Sequence, residues 1–117
     1  MANFEPGDVI KVPFPYTDRA TRQRRPALVV SAPPLEEAHG LLWVIMITSA
    51  ENRAWPSDIR VDRLDGTGLP VPSLVRTAKI ATIEASDAET LGRLDGGLLR
   101  MVQRQLRDHL PLGDPAA

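Results

Sequence analysis

Seven consecutive apolar residues, LLWVIMI at 41–47, restrict the possible folds of this chain more than any other feature. The run is too short to cross a membrane, and its short length and clear flanks favour a β-strand over a helix. Because successive side chains of a strand point to opposite faces, a strand that is apolar throughout must be covered on both sides. We therefore expect a buried central strand here, with Trp43 in the core.

Shorter strand-like segments lie on both sides of this run. They combine β-branched residues with a two-residue alternation and are bounded by proline, glycine and polar residues. The predicted strands are Val9–Phe14, Ala27–Ser31, Ile59–Val61 and Leu74–Ile83. Proline cannot donate a ladder hydrogen bond, so the first strand should reach a sheet edge or a bend near Pro13 and Pro15. Pro33-Pro34 should end the second strand.

Only the segment near the C-terminus shows helical periodicity over several turns. Leucine and valine recur there at three- and four-residue spacing, with arginines between them, which predicts an amphipathic helix. Asp95 is the expected N-cap and Pro111 the expected stop. Ser86–Glu89 has capping-box spacing and predicts a short helical turn. Five short strands and a closing helix predict a mainly β domain, curled into a partly open barrel.

Composition narrows the chemistry available to this single domain of 117 residues. The chain has no cysteine, which excludes disulfides, thiolate nucleophiles and thiolate zinc sites. His39 and His109 are too few and too far apart to suggest a metal site, so no metal or other cofactor is expected. With neither a signal peptide nor a membrane-length apolar run, we expect a cytoplasmic protein that does not contact a membrane.

Four arginines lie within seven positions, in a chain whose net charge is −1. They are Arg19, Arg22, Arg24 and Arg25. Such a cluster repels itself, so its members must be solvated, paired with acidic groups such as Asp8 and Asp18, or used to bind an anion. Arg25 opens the second predicted strand, and Thr48-Ser49 directly follows the third. Neighbouring antiparallel strands would bring these groups to one end of a sheet. Arg76 lies inside the fifth strand, a costly place for a charge unless it is paired or faces a cleft.

Four segments, in this order, resemble the MazF/PemK family of toxin endoribonucleases. They are GDVIKVPFPYTD, RRPALVVS, the apolar strand ending in Thr48-Ser49, and SLVRTAKIATIE, followed by the amphipathic helix. The resemblance covers about residues 7–110 and leaves 111–117 as a short tail. It implies an SH3-like barrel that acts as a homodimer on single-stranded RNA. It also implies a cognate antitoxin whose C-terminal segment lies over the RNA groove.

The resemblance also implies roles for individual residues. Arg25, Thr48 and Arg76 match positions associated with catalysis in the family. The residues expected to contact RNA are Thr17, Asp18, Arg19, Arg22, Arg24, Ser49 and Lys79. Several relatives carry an aspartate proposed as proton acceptor where this chain has Ala78, and a glutamine where it has Lys79. The resemblance therefore does not identify the general acid or the general base, and Asp18 is a candidate for the base.

RNA supplies its own nucleophile, the 2′-hydroxyl beside each phosphate, so cleavage needs neither a metal nor a protein nucleophile. Arginine suits stabilisation of the transition state because its planar fork donates two hydrogen bonds to phosphate oxygens. Its pKa above about 12 makes it a poor general base. Two other functions stay open: a non-catalytic interaction module and a gyrase-poisoning toxin of the same fold. Trp55 could stack on a base, contact an antitoxin or simply pack.

Overall fold

The computed structural model describes residues 2–13 and 24–111. These two ranges form six strands, two α-helices and a short 3₁₀ turn. In chain order they are β1 (Asp8–Pro13), β2 (Arg24–Val29), α1 (Pro33–His39), β3 (Leu41–Ser49), β4 (Ile59–Val61), β5 (Ser73–Glu84), the 3₁₀ turn (Ala85–Asp87), β6 (Glu89–Arg93) and α2 (Gly96–His109). Neither helix has the length and apolar composition needed to span a bilayer.

The strands form one antiparallel sheet in the order β4-β5-β3-β2-β1-β6. β3 lies in the interior of this order, between β2 and β5, which confirms the central position predicted for residues 41–47. The sheet curls into a half-barrel, so the predicted mainly β class with a C-terminal helix is also confirmed. β1 is paired on both sides, with β2 and with β6, so the first strand is not an edge. Its pairing with β6 ends at Lys11, and Pro13 lies beyond it.

Both faces of the sheet carry buried apolar side chains, which explains the unbroken apolar run in β3. One face is lined by Val12, Val29, Leu42, Val44 and Met46, among others. The other carries Val9, Leu28, Ile45, Ile47 and Val75, and Val102 of α2 packs into this second cluster. At about 25 cal/mol per Å² of apolar surface, covering both faces is the main source of stability for so small a sheet.

The expectation that Trp43 belongs to the core is wrong, because its side chain is 49% exposed. It lies on the same face as Ile45 and Ile47, but unlike them it is not part of the buried cluster into which α2 packs. Ile80 is on the same face of β5 and is 51% exposed. Since Trp43 pairs with Thr82 and Ile45 with Ile80, Trp43 and Ile80 are diagonal neighbours. We refer to these two residues as the apolar patch.

Two elements of the structure were not predicted. Pro33-Pro34 does not simply stop a strand; it opens α1, where the missing N–H groups of proline leave no helical bond unmade. Glu89–Arg93 forms a sixth strand, so Glu89 does not complete a capping box. The predicted helical turn is present as the 3₁₀ turn at Ala85–Asp87, without a side-chain cap.

The predicted boundaries of α2 are confirmed. The Asp95 carboxylate accepts hydrogen bonds from the backbone N–H groups of Gly97, at 3.0 Å, and Leu98, at 3.2 Å. The helix ends at His109, before Pro111. Capping matters here because two glycines open the helix and lower its intrinsic stability.

A wide irregularity interrupts the pairing of β3 with β5. Ile45 pairs with Ile80 and Ile47 with Val75, so four residues of β5, 76–79, face the single residue Met46. The extra residues bulge out of the ladder, and bulges of this kind re-aim side chains. Arg76 and Lys79 are the first and last residues of this bulge.

Candidate functional site

An open pocket of about 400 Å³ lies on the sheet face opposite α2. Its walls come from the start of β2, the end of β3, the loop after β3 and the bulge of β5. The lining residues are Arg25, Met46, Thr48, Asn52, Arg53, Trp55, Arg76 and Lys79. The three residues predicted to be catalytic are therefore brought together, and Lys79, predicted to contact RNA, joins them.

Strand alternation places Arg25 and Thr48 in this pocket. Arg25 pairs with buried Val12 and Ala27 pairs with Met46, so all four side chains share one face of the sheet. The same register, continued by two residues, puts Arg25 opposite Thr48. Arg25 lies where the apolar core ends, and it is solvent-exposed. The sheet thus holds a guanidinium and a hydroxyl side by side at its open end.

Thr48 is held by the loop that follows β3. Its hydroxyl oxygen Oγ1 accepts a hydrogen bond of 2.6 Å from the side-chain amide of Asn52. Because that bond uses an acceptor lone pair, the hydroxyl proton of Thr48 is left to be donated to another group. Thr48 is thus prepared to donate to an oxygen bound in the pocket.

Arg76 is fixed by an ion pair with Asp58. Its Nη2 lies 3.1 Å from Asp58 Oδ2, and its Nε donates to the same carboxylate at 3.3 Å. Nη2 also donates to the backbone carbonyl of Arg53 at 2.7 Å. Only 12% of the Arg76 side chain and 2% of the Asp58 side chain are exposed. The charge inside the fifth strand is therefore both paired and open to a cleft, the two conditions that would permit it.

Trp55 lies against the guanidinium of Arg76. The Arg76 Cζ atom is 4.2 Å from the ring centroid, within the range of a cation–π contact. The backbone N–H of Trp55 donates to Asp58 Oδ2 at 2.8 Å, so the same carboxylate holds both residues. The indole is nevertheless 40% exposed. It packs against the protein while keeping surface available to a ligand.

The pocket is electropositive. Among the described residues that line it, four carry a positive charge, namely Arg25, Arg53, Arg76 and Lys79, and none is acidic. The chain as a whole carries −1, so this charge is concentrated locally. Guanidinium groups beside hydroxyl and amide donors are suited to bind a phosphate.

Two residues that were expected to contact RNA do not line the pocket. Arg24 donates to the carbonyls of Lys11 and Asp87 and forms an ion pair with Glu89 at 3.1 Å. Ser49 pairs with Ser73 at the end of β3, and its hydroxyl accepts from the backbone N–H of Glu51. Asp8, considered as a partner for Arg25, pairs with Arg93.

Four further residues expected to contact RNA lie outside the described residues. They are Thr17, Asp18, Arg19 and Arg22. Their assignments, including Asp18 as the general base, stay predictions.

Sequence reasoning missed three members of the site: Asn52, Arg53 and Asp58. All three belong to the stretch ENRAWPSD, which was read as a loop with one aromatic residue of interest. Pro56-Ser57-Asp58 is a turn signal, but it does not indicate that the aspartate turns inward towards β5. Arg76 within an apolar strand was the available signal, because a charge there requires a partner.

Solved structures with the same fold were found over nearly the full chain. A MazE-MazF structure from Deinococcus radiodurans is 24% identical, with a TM-score of 0.75, and the match covers 94% of this chain and 98% of that one. An endoribonuclease in complex with its cognate antitoxin, from Mycobacterial species, is 18% identical, with a TM-score of 0.71 and coverage of 98% and 100%. The Mycobacterium tuberculosis toxin MazF-mt6 is 18% identical, with a TM-score of 0.69 and coverage of 92% and 99%.

At these identities the likeness shows the fold. A comparison with individually curated proteins gave no match. A family model described as PemK-like, MazF-like toxin of type II toxin-antitoxin system matches residues 5–110. Since that match spans most of the sequence, the chain belongs to the PemK-like, MazF-like family of toxins from type II toxin–antitoxin systems.

Proposed function

We propose that this protein is a sequence-specific endoribonuclease toxin that cleaves single-stranded RNA without a metal ion. The observation that carries the proposal is the pocket in which Arg25, Thr48, Arg76 and Lys79 converge on the open end of the sheet. Membership of the toxin family supports it, because the family match spans residues 5–110 and so includes all four of these positions. A phosphate in the pocket would meet several cations and one hydroxyl within a small volume.

In the proposed reaction the 2′-oxygen attacks the adjacent phosphorus and the bond from phosphorus to the 5′-oxygen breaks. The 2′-hydroxyl gives up its proton and the departing 5′-oxygen gains one, so the products are a 2′,3′-cyclic phosphate and a 5′-hydroxyl. Arg25 and Arg76 stabilise the negative charge that builds up on the phosphate oxygens. Thr48 donates its hydroxyl proton to one of these oxygens.

The test is incubation of the purified protein with a long single-stranded RNA, followed by mapping of the cut sites. We expect cleavage at a short recurring sequence and 5′-hydroxyl ends that a polynucleotide kinase can label. Intact RNA combined with inhibition of gyrase would instead favour the gyrase-poisoning alternative. Intact RNA without any effect on gyrase would favour an interaction module.

The proposed active form is a homodimer in which a second copy covers the apolar patch of Trp43 and Ile80. Both residues are about half exposed and are diagonal neighbours on the sheet face into which α2 packs. Closed symmetric dimers bury the same surface patch of each copy. We expect light scattering at micromolar concentration to give twice the chain mass.

The variant Ile80→Lys should shift that dimer towards the monomer, since a lysine in the patch would have to be buried without a partner. Val71→Lys is the matched control, because Val71 is 41% exposed but lies in the segment between β4 and β5. A monomeric mass for the unmodified protein would contradict the dimer. An unchanged mass for Ile80→Lys would exclude this patch as its interface.

A cognate antitoxin is the proposed inhibitor, and it acts by covering the pocket with acidic and apolar residues. Four cations beside the exposed Trp55 ring would accept such a segment. Because part of the attraction is between charges, the dissociation constant should rise as salt is raised from about 0.05 to 0.5 M. If a small protein encoded next to the toxin neither binds it nor neutralises its toxicity, this pairing is wrong.

A further inference from the structure

We infer that Asp58 is a positioning residue, which sets the orientation of Arg76 so that one edge of its guanidinium is presented to the scissile phosphate. The inference rests on the proposed ribonuclease function. Asp58 itself does not line the pocket; it acts from behind, through its ion pair with Arg76.

The contacts of Asp58 are those of a fixed support. Its side chain is 2% exposed and therefore held by its surroundings. One carboxylate accepts from Nε and Nη2 of Arg76 and from the backbone N–H of Trp55. Thr77, the next residue in the bulge, donates its hydroxyl to the carbonyl of Ser57 at 3.0 Å. The bulge of β5 and the loop before β4 are thus joined at two successive residues.

A count of the donors of Arg76 shows which edge is left for a ligand. The guanidinium has five N–H groups. The single N–H of Nε goes to Asp58, and the two of Nη2 are accounted for by Asp58 and by the Arg53 carbonyl. Within residues 2–13 and 24–111, Nη1 donates to no protein acceptor. Since Arg76 lines the pocket, the two Nη1 donors are the ones that can reach a phosphate oxygen.

Trp55 restricts the remaining freedom of this group. The indole covers one flat side of the guanidinium at 4.2 Å, while Asp58 holds the Nε–Nη2 edge. Rotation about the Arg76 side chain would break the ion pair or the ring contact. Small displacements of a group that stabilises a transition state cost large factors in rate, about a hundredfold for 1 Å.

The alternative is that Asp58 serves only to hold the loop in place, without any special effect on Arg76. The substitution Asp58→Asn separates the two, because it keeps the shape of the side chain and removes its charge. We expect kcat to fall roughly ten- to a hundredfold with KM changed less than about threefold. Asp62→Asn is the control, since Asp62 pairs with Arg60 at the surface, away from this pocket.

A double-mutant cycle with Arg76→Ala isolates the coupling. If Asp58 acts through Arg76, adding Asp58→Asn to Arg76→Ala should change kcat less than about twofold, whatever its effect on the melting temperature. An equal loss of kcat in both backgrounds would overturn the inference and assign Asp58 to the loop. Full activity of Asp58→Asn would overturn it as well.

NMR of the arginine Nε–H groups provides a readout that needs no cleavage and no folded variant of Asp58. In the unmodified protein Arg76 should give a slowly exchanging Nε–H signal, identified by its loss in Arg76→Lys. The absence of such a signal would overturn the inference. If the protein cleaves no RNA, the proposed function fails, whereas this signal still decides whether Asp58 orients Arg76.

Discussion

An RNA with a single 2′-deoxy substitution at the mapped cut is expected to resist this protein completely. In the proposed reaction the 2′-oxygen is the nucleophile, and a deoxynucleotide lacks this oxygen. The same RNA with its 2′-hydroxyl should be cut at an undiminished rate in an excess of chelator, because arginine rather than a metal stabilises the phosphate charge. Cleavage products should carry a 2′,3′-cyclic phosphate, which mass spectrometry detects.

The control for this assay is an RNA with the deoxy substitution several nucleotides away from the cut, which should be cleaved normally. Undiminished cleavage of the substituted RNA at the original position would disprove the mechanism. Loss of all activity on normal RNA in chelator would disprove its independence from metal. Binding of the substituted RNA without cleavage is the outcome that fits the proposal.

Arg25→Ala should lower kcat/KM about a hundredfold or more, which corresponds to roughly 3 kcal/mol of lost transition-state stabilisation. The side chain is exposed at the open end of β2, so the variant should keep its melting temperature. Arg60→Ala removes another exposed arginine, one that is paired with Asp62 and does not line the pocket, and should leave cleavage unchanged. A fluorescent RNA assay gives kcat/KM, and thermal unfolding of the same preparation gives the melting temperature.

Thr48→Ala should lower kcat/KM less than Arg25→Ala does, because a hydrogen bond from a neutral donor is about half as strong as one from a charged donor.

A large drop in the melting temperature of Arg25→Ala would show that the residue supports the fold. Retention of more than about a third of the activity would remove Arg25 from the reaction.

The strong signals in this sequence were those in which one property repeats over several residues. The apolar run of β3, the periodic leucines of α2 and the Asp95 cap were each readable because burial and capping impose a pattern on neighbouring positions. Trp43 shows the limit of such patterns. Trp43 and Ile45 belong to the same apolar run and the same face of β3, and only the tertiary structure shows that Ile45 joins the buried cluster that includes Val102 of α2 while Trp43 does not.

α1 and β6 were missed because neither is long enough to produce a period. β6 has five residues, none of them fully buried, and its fourth residue, Gly92, is of a type that usually interrupts helices and strands. The structure shows why glycine is required at position 92: a Cβ there would lie 2.3 Å from the carbonyl oxygen of Gly66. A close approach between two segments that are distant in sequence leaves no local trace.

The residues of the site that lie on strands could be predicted from the sequence, whereas those on the loop after β3 could not. Arg25, Thr48 and Arg76 could be placed near one another by strand order and by family resemblance, and the pocket brings them together. Asp58 and Asn52 could not be found in this way, because their roles come from the path of a loop. That path is fixed by contacts with the β5 bulge, and the bulge itself appears only when the register of two strands is known.

The pairing of β1 with β6 determines when a newly synthesised chain can finish folding. β1 is translated before the other described strands, but its second neighbour begins only at Glu89, so one edge of β1 stays open until residues 89–93 have been made. The helix that covers the second face of the sheet is made later still. At about 5–20 residues per second, the nascent chain exposes an uncovered apolar sheet for seconds. The described segments that line the pocket are all made before β6 and α2, so the pocket residues are translated while the sheet is still open to aggregation and proteolysis.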